Sequence, residues 1–105
     1  MQPHCREHYV TAQIPVNYNP EAKAPTFKQF LDDVFNGDCD AEEKRQALLE
    51  MMAYSLMRTA KHELYVILYG STAANGKSTF LSVLKALCGG NNCSAITPSQ
   101  FDKTF

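Results

Sequence analysis

The 105-residue sequence predicts an α/β fold, and three observations carry that expectation. Apolar residues recur at helical spacing over 27–35 and again over 47–56. An uninterrupted β-rich run, Leu64-Tyr65-Val66-Ile67-Leu68-Tyr69, follows them. A glycine-containing loop then leads into another helical stripe. With 45% hydrophobic and 20% charged residues, the chain has the composition of a globular protein. At this length it can bury roughly two-thirds of the surface that its unfolded form exposes.

Residues 1–25 hold Pro3, Pro15, Pro20 and Pro25, which argues against long helices and makes this part an extended lead-in. Val10, Ala12, Ile14 and Val16 alternate with Thr11, Gln13 and Pro15, a pattern for one short edge strand. Residues 26–62 read as a helical pair. Thr26 is expected to cap the first helix, whose apolar face is Phe27, Phe30, Leu31, Val34 and Phe35, with Gly37 ending it. Asp40 and Glu43 form an acidic variant of a capping box for a second helix running to about Ala60. Its face of Ala47, Leu48, Met51, Met52, Ser55 and Leu56 is expected to pack against the first helix.

Residues 63–105 form the third part. The run 64–69 reads as a strand buried on both faces. Phe80, Leu81, Leu84 and Leu87 place a stripe on a helix over 77–88, which Gly89-Gly90 should stop. Thr97, Pro98 and Gln100 supply a cap, a first-turn proline and a capping-box partner for a last short helix.

Charge is unevenly placed within a net of -1: residues 1–63 hold seven Lys/Arg and ten Asp/Glu, and residues 64–105 hold three and one. That balance argues against a strongly basic nucleic-acid surface on this chain. Cys5, Cys39, Cys88 and Cys93 show no C-x-x-C spacing, so reduced structural thiols are expected. A metal site from His4, Cys5 and His8 lacks a fourth ligand and is disfavoured. No apolar run approaches the roughly 20 residues of a membrane span, and no signal segment opens the chain, which gives a cytoplasmic expectation.

The chemistry-bearing segment is Gly70-Ser71-Thr72-Ala73-Ala74-Asn75-Gly76-Lys77-Ser78-Thr79, set between the predicted strand and helix. A triphosphate is held by inward-facing backbone N–H groups together with the positive end of the following helix. Gly76 permits close backbone approach, Lys77 is expected on the β and γ phosphates, and Ser78 is expected to join the coordination of Mg²⁺. Thr79 is assigned to an α-phosphate oxygen. Five residues separate Gly70 from Gly76 where the regular P-loop has four, so Ser71 stands where glycine is usual. The competing reading is that Gly-Lys-Ser-Thr opens a helix with no ligand.

Leu68-Tyr69-Gly70 followed by Asn75-Gly76-Lys77-Ser78-Thr79-Phe80-Leu81 resembles the ATP site of superfamily-three helicases in phage and plasmid primases and in poxvirus primase-helicases. Residues 14–22 and 25–31 are similar to that family's lead-in, and 84–89 and 96–98 also fit. The resemblance implies an AAA+-like P-loop sheet, ATP and Mg²⁺ as ligands, and a ring-forming homo-oligomer acting on DNA in its complete form. Such an ATPase needs an acid at the end of a second strand and an arginine finger. After Glu63 the only carboxylate is Asp102, which follows a helix opening, and no arginine follows Arg58. A chain truncated before these parts is expected, binding nucleotide without full helicase activity. The alternative is a non-catalytic relic module that pairs with a replication protein.

Overall fold

The computed structural model describes residues 3, 5–8, 12–73 and 75–101. It contains three α-helices: α1 (Pro25–Val34), α2 (Ala41–Ser55) and α3 (Lys77–Cys88). Single 3-10 turns lie at Arg6–His8, Gly90–Asn92 and Pro98–Gln100. Among the described residues there is no strand and no sheet, so the α/β expectation is overturned. A strand exists through hydrogen bonds to a neighbour, and among the described residues no segment pairs with 64–69. The run has no regular structure and is largely exposed: Tyr65 is 86%, Ile67 75% and Tyr69 87% accessible. The edge strand fails as well, since 12–14 are irregular and 15–16 bend, while Val10 and Thr11 lie outside the described residues.

The helices follow the apolar periodicity better than their caps follow the sequence signals. The proline of α1 sits in its first turn, where a missing N–H is harmless, so the helix starts at Pro25 after Ala24 and Thr26 is not its cap. Asp40 does precede α2 but makes no side-chain capping bond. Its carboxylate pairs with Lys44 one turn on, at 2.9 Å, and Lys44 also meets Asp38 at 2.7 Å. The second helix stops at Ser55, short of Ala60. Leu56 N–H and Met57 N–H turn back to Ala53 O and Tyr54 O, each at 3.1 Å, tightening its end. The third helix spans the predicted residues, and Gly89 at φ +91° stops it with its N–H on Lys85 O at 2.9 Å. Thr97 and Gln100 make the expected capping box around a 3-10 turn, with Thr97 N–H donating to Gln100 Oε1 at 2.6 Å.

The interior is thin. The buried apolar residues are Leu31, Met52 and Phe80, one from each helix. Between the helices and 64–69 lies a cavity of about 360 Å³, bordered by Leu31, Leu48, Val66 and Phe80. The pair α1 and α2 is joined at its rim by Arg45, which binds Asp32 of α1 and Glu42 of its own helix. Total accessible surface is 9455 Å², against roughly 5,900 Å² for a compact monomer of this mass. The radius of gyration, 16.4 Å, likewise exceeds the about 13 Å of a compact chain this long.

One long-range tie joins the lead-in to the far end of α3. Asn92 Nδ2 donates to Gln13 O at 2.9 Å and to Cys88 O at 2.7 Å. Pro15 packs beside Gly89, where an added Cβ would come within 2.7 Å of Pro15 Cδ.

Candidate functional site

The first turn of α3 organises the site. Its N-cap, Gly76, has φ +82°, a conformation that side-chain-bearing residues adopt only at a cost, and no side chain caps the helix. The first intrahelical bond runs from Phe80 N–H to Gly76 O at 2.9 Å. The N–H groups of Lys77, Ser78 and Thr79 therefore have no helical acceptor, and the positive end of the helix dipole is directed out of the same turn.

Around this turn lies a cavity of about 820 Å³. From the loop and α3 it is bordered by Ala73, Asn75, Gly76, Lys77, Ser78 and Thr79, and from α1 by Phe30, Asp33 and Val34. Gly76 touches α1 closely: a Cβ there would meet Val34 Cγ2 at 2.8 Å and the Phe30 ring at 3.2 Å. Asn75 to Lys77 are half-buried, whereas Ser78 and Thr79 are exposed. Gly70, Ser71 and Thr72 do not border this cavity, and Ala74 lies outside the described residues.

The loop is folded onto itself. Asn75 Nδ2 donates to Thr72 O at 2.8 Å, and Lys77 Nζ donates to Asn75 Oδ1. Both groups crowd Gly70, where a side chain would overlap the Asn75 amide and come within 2.9 Å of Lys77 Nζ. A side chain at 70 would therefore displace the ends of the Asn75 and Lys77 side chains. The Asn75 carbonyl oxygen satisfies the lysine with a neutral acceptor where an anionic oxygen would bind more strongly. Donors able to meet an anion are gathered here, together with the Ser78 hydroxyl and one carboxylate, Asp33. That carboxylate accepts from Gln29 Nε2 at 2.8 Å. Oxygen ligands of this kind suit Mg²⁺ accompanying a phosphate.

Sequence reasoning missed the α1 wall. Phe30 and Val34 were assigned to a helix-pair core, and Asp33 carried no motif. The available signal was spacing: Asp33 lies three residues from Phe30, on the same side of the helix. Among the described residues no cluster of His, Cys, Asp and Glu could hold a metal, and His4 of the disfavoured metal set lies outside them. The four cysteines are free; Cys88 is half-buried, and burial, with Cys93 nearby, raises its pKa. No helix among the described residues is long and apolar enough to cross a membrane.

Residues 1–36 match the model of a family described as D5 N terminal like. This match points to the N-terminal family of phage and plasmid primase-helicases and covers α1, but it does not extend to residues 70–79. No curated protein and no solved structure matches the chain.

Proposed function

We propose that residues 70–79 bind the phosphates of a nucleoside triphosphate, ATP with Mg²⁺, as the nucleotide-binding segment of a phage- or plasmid-type primase-helicase. The observation that carries this reading is the cavity at the uncapped first turn of α3, where Lys77 and three helix N–H groups converge beside the left-handed Gly76. The family match over the adjoining lead-in and α1 adds support from an independent part of the chain. On binding, Lys77 exchanges its Asn75 partner for phosphate oxygen. The Ser78 hydroxyl would hold Mg²⁺, whose charge offsets that of the phosphates. Hydrolysis needs, besides residues 70–79, an acid that holds Mg²⁺ and a cation that meets the charge developing on the transferred phosphoryl group. DNA contact and completion of the site by a neighbouring subunit are expectations for the whole ring.

The test is calorimetric titration of Mg²⁺-ATP into this chain and into Lys77→Ala, with phosphate release followed in the same samples. A hydrogen bond from a charged donor contributes about 1.5–3 kcal/mol, so the variant should bind about 10- to 150-fold more weakly. Neither protein should release phosphate. Absence of binding in both would sink the nucleotide reading.

A second reading, a non-catalytic module that pairs with a replication protein, is favoured by the exposure of 64–69. An exposed apolar segment of high strand propensity is suited to adding itself to a partner's sheet edge. Sedimentation across a concentration series tests it: self-association or partner capture that Ile67→Asp abolishes, and that nucleotide leaves unchanged, supports this alternative.

A further inference from the structure

The cavity at the α3 turn does not end at Phe30. A second hollow of about 510 Å³ is bordered by Pro25, Thr26, Gln29, Phe30 and Asp33, so the two share Phe30 and Asp33. Thr26, Gln29, Phe30 and Asp33 stand at i, i+3, i+4 and i+7, one face of α1. The two hollows adjoin along this face of α1, from the first turn of α3 towards the N-terminus of α1. From Asp33 to Thr26 the helix rises about 10 Å, at about 1.5 Å per residue. That length accommodates a sugar and a base beyond a bound phosphate chain.

We infer that this α1 groove takes the nucleoside of the bound nucleotide, with Phe30 as the stacking face and Gln29 and Thr26 beside the base edge. The inference rests on the phosphate reading above and adds what that reading leaves open, the contacts beyond the phosphates. Phe30 is suited to the role because its ring is held from two sides while remaining half-buried. One edge lies against Gly76, and Phe27 stacks on it with centroids 6.2 Å apart at 27°. A ring fixed in this way loses little freedom when a base covers it. Gln29 is exposed, borders the second hollow and donates to Asp33 at 2.8 Å. An amide offers both a donor and an acceptor to a base edge.

The experiment is titration of Mg²⁺-ATP and of Mg²⁺-inorganic triphosphate into the full chain, Phe30→Leu and Gln29→Ala. Base stacking on an aromatic ring should make ATP bind roughly tenfold or more tightly than triphosphate in the unmodified chain. Both variants should shrink that ratio; Gln29→Ala also frees Asp33, which shifts the two affinities alike and leaves their ratio as the readout. Because Phe30 also packs on Gly76, its substitution can loosen the loop and lower both affinities; Gln29, which does not touch the loop, then decides. Equal affinities for ATP and triphosphate in the unmodified chain, or an unaltered ratio in Gln29→Ala, overturn the nucleoside groove and leave phosphate binding standing. If neither ligand binds, the phosphate reading fails, and the groove inference with it.

Discussion

The contact between α1 and the first turn of α3 is tested by adding one methyl group. Gly76→Ala places a Cβ 2.8 Å from Val34 Cγ2 and 3.2 Å from the Phe30 ring, at a backbone φ of +82°. The left-handed conformation costs a non-glycine residue about 1–2 kcal/mol. Forcing an extra carbon into a filled contact costs about 1–3 kcal/mol more. The sum, roughly 2–5 kcal/mol, is a large share of the about 5–15 kcal/mol that holds a typical domain together. Gly37→Ala is the control, because φ is +90° there and nothing lies within 4 Å of the added carbon. It should bear only the backbone part. Urea unfolding followed by circular dichroism on both variants measures the difference, which should be at least about 1 kcal/mol. Equal midpoints and slopes for the two would refute the packing of Phe30 and Val34 on Gly76, and with it the α1 wall of the site.

Asn75→Ala removes the neutral oxygen that occupies Lys77, so inorganic triphosphate should bind severalfold more tightly, as calorimetry would register; weaker binding would mean that the Asn75 amide itself contacts the anion. Thiol titration at mildly alkaline pH should leave Cys88 the slowest of the four to react, since burial raises its pKa and shields it, while Cys5, Cys39 and Cys93 are exposed. The start of α2 should weaken in acid. Lys44 lowers the Asp40 pKa through its hydrogen bond, so this contribution is present above the usual carboxylate range and fades as pH falls through and below it. Acid titration of helicity should show that step in the unmodified chain and not in Lys44→Met.

The helices were legible because periodicity reports which residues share a face, and Phe80 is buried on the stripe where the sequence placed it. Leu81, on the same predicted stripe, is 53% exposed because one position further round the helix turns it away from the interior. The capping signals were weaker guides. Thr26 lost to Pro25, and Asp40 found a lysine in place of a backbone N–H. The strand was misread for a more basic reason: propensity over 64–69 is local, whereas a sheet depends on a second segment elsewhere in the chain. Lys77, Gly76 and Asn75 of the loop were identified by motif and are brought together. Phe30, Asp33 and Val34 were not assigned to the site, because nothing in a linear pattern says which helix lies across from the loop.

Asn92 gives the chain an order of assembly. Its amide reaches Gln13 across 79 residues, whereas the helical bonds of α1, α2 and α3 close over four. Closing a loop of that length costs about 4 kcal/mol in chain entropy by the logarithmic scaling, before any contact offsets it. The helices can form within microseconds from local bonds alone. The clasp at Gln13, Pro15 and Gly89 is therefore expected to close after the intervening helices have shortened the path between its ends. An interaction absent from the transition state governs how fast a structure opens more than how fast it forms. Asn92→Ala should accordingly raise the unfolding rate of the lead-in more than it lowers the folding rate, which stopped-flow unfolding would register; a change confined to the folding rate would refute the late closure.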